Sequence, residues 1–146
     1  MALQYTETEP TVVTFVNPNI LYLTQNGYLT DAETAFLFTL SAFLDVNNCA
    51  NEENGQYLTQ QKFADRMKVS RKTASSLLNS LERKGLIKRE RNPLPDNSAA
   101  RHQIYVNPYI LFFEDNVDEI PENIIHLFSD VNGKGFLKGL PFKIEF

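Results

Sequence analysis

Residues 71–84 constrain this 146-residue chain more than any other stretch. Ala74, Leu77, Leu78 and Leu81 recur at i, i+3, i+4 and i+7, which lines one side of an α-helix with apolar groups. At about 100° per residue the opposite side carries Lys72, Ser76, Asn79 and Arg83. Arg71, Thr73 and Ser75 flank that side near the N-terminal end. Such a helix must bury its leucines, and the sequence on either side supplies partners. Upstream, Phe63, Ala64 and Met67 repeat at helical spacing behind Thr59, whose hydroxyl can cap free backbone N–H groups. Ala64 is small, as a close helix crossing requires. Lys68-Val69-Ser70 leaves room only for a tight turn, and Ser70 is a good N-cap for the second helix.

Downstream, Gly85 sits where a helix C-terminus favours positive φ. Residues 86–91 then alternate as an outgoing strand, and Gln103 to Val106 form the return, stopped by Asn107-Pro108. Residues 92–100 hold two prolines and an Asp-Asn pair, so they read as the loop between the strands. The expected fold class is therefore α+β: a winged helix-turn-helix, with a three-helix core and a β-hairpin wing, plus an N-terminal strand and a C-terminal extension.

The third core helix follows Thr30 and Glu33, which have capping-box spacing, and should reach about Asp45. Its apolar residues cover most of its circumference, which predicts burial within the domain or against a second subunit. Residues 1–10 are polar and expected to be flexible. Residues 11–113 are expected to form the winged domain, and 114–146 an acidic linker and apolar extension. Within these spans, 11–16 reads as a strand, 19–23 as a short apolar segment after Asn17-Pro18, 26–27 as a turn, and 46–57 as a solvent loop. Residues 124–128 read as a short helix or apolar patch, and 136–146 as a last edge strand, a subunit-swapped arm or a partly disordered stretch. Phe15 to Leu23 and Tyr105 to Phe113 share the pattern aromatic-Val-Asn-Pro-x-Ile-Leu-aromatic, which predicts two strands ending at prolines and turning over the core in similar ways.

Charge points to the kind of partner. Residues 62–101 hold 11 basic and 4 acidic residues, a local balance of +7, in a chain whose net charge is −4. Cations concentrated on one motif are the electrostatic footprint of nucleic-acid binding. Lys and Arg can reach phosphates or guanine edges, Asn can pair with adenine, and Ser or Thr can bond either. The candidate duplex contacts are Lys68, Ser70, Arg71, Lys72, Thr73, Ser75, Ser76, Asn79 and Arg83 around the second helix. In the wing they are Lys88, Arg89, Arg91, Arg101 and His102. A charged helix face is more often simply solvated, and a protein-interaction module on the same scaffold is the competing class.

No catalytic constellation is visible. His102 and His126 stand apart from any recognisable acid–base pair, and Cys49 has no His or second Cys nearby. No metal-ligand spacing or glycine-rich phosphate loop occurs, so no metal or cofactor is expected. A single cysteine and the absence of a secretory start or a transmembrane run lead to the expectation of a cytoplasmic protein.

Residues 58–106 resemble the winged helix-turn-helix domains of bacterial regulators, the MarR-like group among them. The resemblance rests on Ala64, Val69, Ala74 and Leu77, with Lys84-Gly85-Leu86-Ile87 where the wing begins. It implies a homodimer that binds duplex DNA and controls transcription. A second resemblance is to RepL-type plasmid replication proteins, carried by Val106-Asn107-Pro108-Tyr109-Ile110-Leu111-Phe112 after the wing. It implies origin binding in replication on a plasmid or similar element.

Overall fold

A computed structural model describes residues 11–51, 58–92 and 101–144. The expected flexible N-terminus, residues 1–10, and the expected wing loop from 93 to 100 lie outside the described residues.

Thr30 starts helix α2 (Asp31–Ser41) with a complete capping box: its hydroxyl accepts from the Glu33 N–H, and the Glu33 carboxylate accepts from the Thr30 N–H at 2.9 Å. Thr59 caps α3 (Gln60–Met67), and Ser70 caps α4 (Arg71–Arg83) by accepting from the Thr73 N–H at 3.1 Å. Between α3 and α4, Lys68 takes a left-handed conformation, φ 57°, which closes the turn in a few residues. Ala64 and Ala74 are buried where the two helices cross, and Leu78 and Leu81 are buried beside them. Phe36 of α2 stacks on Phe63 of α3 with ring centroids 4.3 Å apart. The wing follows as β2 (Ile87–Asn92) and β3 (Arg101–Val106), paired antiparallel with Ile87 opposite Val106. The expected winged helix-turn-helix is thus the observed fold, with α2, α3 and α4 as its three helices.

Gly85 joins α4 to the wing at φ +82°. A Cβ there would lie 2.7 Å from the Leu137 side chain, which is itself buried. Gly85→Ala should cost about 1–3 kcal/mol through left-handed strain and displacement of Leu137. Urea unfolding measures it; a loss under about 0.5 kcal/mol would show that the site relaxes freely.

Three segments differ from the sequence expectation. Residues 17–25, expected to be a strand-breaking Asn-Pro followed by a short apolar segment, are helix α1, because Pro18 falls in the first turn, where its missing N–H is no loss. Helix α2 stops at Ser41 rather than near Asp45, and the expected solvent loop is exposed at Val46 and Asn47 but turns inward at Asn48, Cys49 and Ala50, which are buried. Cys49 bridges to Tyr105, adding a third strip to the wing, and the Ala50 N–H donates to the Ile104 carbonyl at 2.9 Å. Burial pushes the Cys49 thiol up to about 12, with Asp45 adding to the effect. The Asn48 side chain donates to the Val106 and Leu111 carbonyls and accepts from the Phe113 N–H, so it satisfies backbone that strands leave open there. Residues 52–57 of the expected loop lie outside the described residues.

The two aromatic-Val-Asn-Pro segments meet face to face. Strand β1 (Val13–Phe15) pairs antiparallel with β4 (Leu111–Phe113), and the Val16 N–H donates to the Ile110 carbonyl at 2.8 Å. Their paths diverge after proline: the first becomes α1, the second a turn into β4. Asn107 enforces that turn from a buried site, donating to the Gly85 carbonyl and the Asn132 side chain and accepting from the Tyr109 N–H.

The C-terminal part packs on the same core. Helix α5 (Glu122–Leu127) and the short α6 (Ser129–Asn132) bury Ile124, Ile125 and Asn132, with Phe128 buried between them. Residues 136–144 are neither an edge strand nor a swapped arm. They form a strap over α1: Phe136 stacks on Tyr22 and Tyr28, Leu137 and Leu140 are buried, and the Phe142 N–H donates to Asn19 at 2.8 Å.

Candidate nucleic-acid interface

The candidate interface is the outer side of α4. Burial of Ala74, Leu78 and Leu81 fixes the rotation of the helix, so Lys72, Ser76, Asn79 and Arg83 are all exposed, as are Arg71 and Thr73. Ser75 is half-buried at the edge of that face. Lys68 and Ser70 in the preceding turn are exposed beside the helix N-terminus. Ser70 and Thr73 also bond each other, hydroxyl to hydroxyl at 3.0 Å, so their first role is to hold the helix start. Among the described residues, no ion pair involves Lys68, Arg71, Lys72 or Arg83. Three of these cations surround a helix N-terminus, whose unpaired N–H groups and dipole add further positive potential.

The wing cations are engaged differently. Arg89 donates to Glu82 at 3.2 Å and to the Asn79 side-chain oxygen at 2.6 Å, and its side chain is only 13% exposed. Its N–H also donates to Glu82. Arg89 therefore ties the wing to α4 and orients Asn79. Lys88 pairs with Asp130 of α6 at 2.9 Å, and this bond holds the Asp130 carboxyl below its usual range. Arg91 and Arg101 belong to the outermost pairs of the wing ladder, Arg91 opposite His102 and Arg101 opposite Asn92. The side chains of Arg91, Arg101 and His102 lie outside the described residues.

Behind the exposed face of α4 is a network that charge counting alone does not reveal. Glu33, 2% exposed, accepts from Lys84 at 2.6 Å and from the Ser80 hydroxyl at 2.5 Å. Lys84 also donates to the Tyr28 carbonyl, and the Tyr28 hydroxyl donates to the Lys84 carbonyl. Burial alone would raise the Glu33 carboxyl, but bonds from Lys84, Ser80 and the Thr30 backbone outweigh it and lower it to about 2. One carboxylate thus caps α2 and anchors the C-terminal end of α4. The Thr30–Glu33 spacing signalled the cap; no local signal pointed to the partners 47 and 51 residues away.

The arrangement offers an exposed cationic helix end, polar side chains along the same helix, and a hairpin locked beside it. The sequence model of the MarR family matches residues 29–95, from the cap of α2 into the wing. Residues 29–95 are thus similar to the MarR family. The MarR-like segment takes in α2, α3, α4 and β2, and leaves α1 and the C-terminal strap outside the match. An uncharacterized 23.6 kDa protein of Bacillus thuringiensis is 29% identical over 136 residues. The alignment covers 89% of this chain and 65% of that relative's length. No solved structure matches the chain. Among the described residues, no helix is long and apolar enough to cross a membrane.

Proposed function

We propose that this chain binds specific sites in double-stranded DNA and acts as a transcriptional regulator, with α4 in the major groove. The observation that carries this reading is the set of exposed cations, Lys68, Arg71 and Lys72, around the N-terminal end of α4 and free of ion pairs among the described residues. Helices of this class read bases from their N-terminal residues. In this reading Arg71, Lys72 and Lys68 contact phosphates or guanine edges, while Thr73, Ser75, Ser76 and Asn79 discriminate bases. Arg83 extends the phosphate contacts along the helix, and Arg91, Arg101 and His102 reach the flanking backbone from the wing. Lys88 and Arg89 hold the wing in place. A homodimer on a near-palindromic site, working in the cytoplasm, completes the proposal.

Mobility shifts with the duplex upstream of the chain's own gene, against a random duplex, test it. The upstream site should be preferred by about a thousandfold. Asn79→Ala should reduce that preference more than it reduces total affinity. Equal, weak binding of both duplexes would refute sequence-specific reading. No duplex binding, with a protein partner recovered instead, would favour the protein-interaction alternative.

A further inference from the structure

A cavity of about 390 Å³ opens between α1 and α2, lined by none of the α4 residues assigned to duplex reading. Its floor is Leu23, Leu37, Ile110 and Leu111, all buried. Its mouth carries Asp31, Thr34 and Phe38, spaced i, i+3 and i+7 on one side of α2 and all exposed. Phe38 is 69% exposed, the largest exposure among the bulky apolar residues of the described chain. The volume is that of a site for a small organic molecule.

The polar groups at the mouth select the class of guest. Among the described residues, Asp31 is the only charged one in the lining, and no Lys, Arg or His contributes to it. The two lining threonines spend their protons on their own helices: Thr24 donates to the Ile20 carbonyl at 2.8 Å and Thr34 to the Thr30 carbonyl at 3.0 Å. What remains for a ligand is an anionic carboxylate and hydroxyl lone pairs, which are acceptors, over an apolar floor. Such a site suits a donor-rich positive group on an apolar body and disfavours an anion. We propose that this cavity binds a small apolar amine in its ammonium form, with the body on Leu23, Leu37 and Ile110 and the charge at Asp31. The proposal is independent of the duplex-binding reading.

Calorimetric titration with 4-phenylbutylamine and with 4-phenylbutanoate tests it, since the two share one apolar body and differ in charge. The amine should bind the wild-type chain about tenfold more tightly than the acid. Asp31→Asn should abolish that preference, and Thr34→Trp, at an exposed position, should block the mouth and weaken both ligands. Backbone amide shifts of the wild-type chain should cluster between residues 15 and 38 and at 110–111, a readout that needs no variant. No amine binding, a preference unchanged in Asp31→Asn, undiminished binding by Thr34→Trp, or shifts confined to other elements would each overturn the proposal.

Discussion

Reversing two charges at the start of α4, Arg71→Glu with Lys72→Glu, is expected to lower duplex affinity by about a hundredfold or more near 0.1 M salt. Each reversal removes an attraction to phosphate and adds a repulsion. The change should not unfold the chain. Both side chains are exposed, and among the described residues neither has an ion-pair partner to lose. Glutamates in the first turn of a helix interact favourably with its dipole, by about 0.3–1 kcal/mol each. Melting temperature should therefore stay level or rise while binding collapses. Lys138→Glu with Lys143→Glu makes the same change in net charge outside the winged helix, at exposed positions on the strap. If that pair weakened binding equally, overall charge rather than the α4 face would be responsible.

The largest expected effect on stability belongs to Glu33. Glu33→Ala should cost about 2–4 kcal/mol. It removes the capping contact to Thr30, leaves Ser80 without its acceptor, and leaves the Lys84 ammonium with the Tyr28 carbonyl but no counter-charge. The Lys84 side chain is 24% exposed and can rehydrate in part, which keeps the loss below that of a fully enclosed pair. The pH dependence has a definite sign. The folded-state carboxyl is lowered from 4.5 to about 2, so its contribution is fully present above 4.5 and fades as pH falls toward 2. Urea midpoints between pH 7 and pH 2 should show that loss in the wild type and a shallower decline in Glu33→Gln. Parallel declines would mean that Glu33 contributes nothing to the acid sensitivity.

Short-range chemistry made the winged helix readable. Thr30, Thr59 and Ser70 each sit before an amphipathic run, and the Ala74–Leu81 stripe fixes which side of α4 faces out. The readings that failed depended on distant contacts. Asn48 and Asn107 look like loop residues, yet each is buried because its side chain replaces missing backbone partners across the fold. The Phe-rich tail resembled an edge strand by alternation. Its fate was decided by Asn19 and Tyr22 on α1 and by Tyr28 just after it, more than a hundred residues earlier. Arg89 counted as one more wing cation, and only the positions of Glu82 and Asn79 show that it braces the wing.

Duplex affinity measured as a function of salt bears most directly on whether the α4 face grips nucleic acid. Each phosphate neutralised should add about −0.9 to the slope of log K against log salt. Four exposed cations, Lys68, Arg71, Lys72 and Arg83, predict a slope of about −3 or steeper per bound protomer. An affinity that stayed flat between about 50 and 200 mM salt would contradict the assignment of that face to DNA.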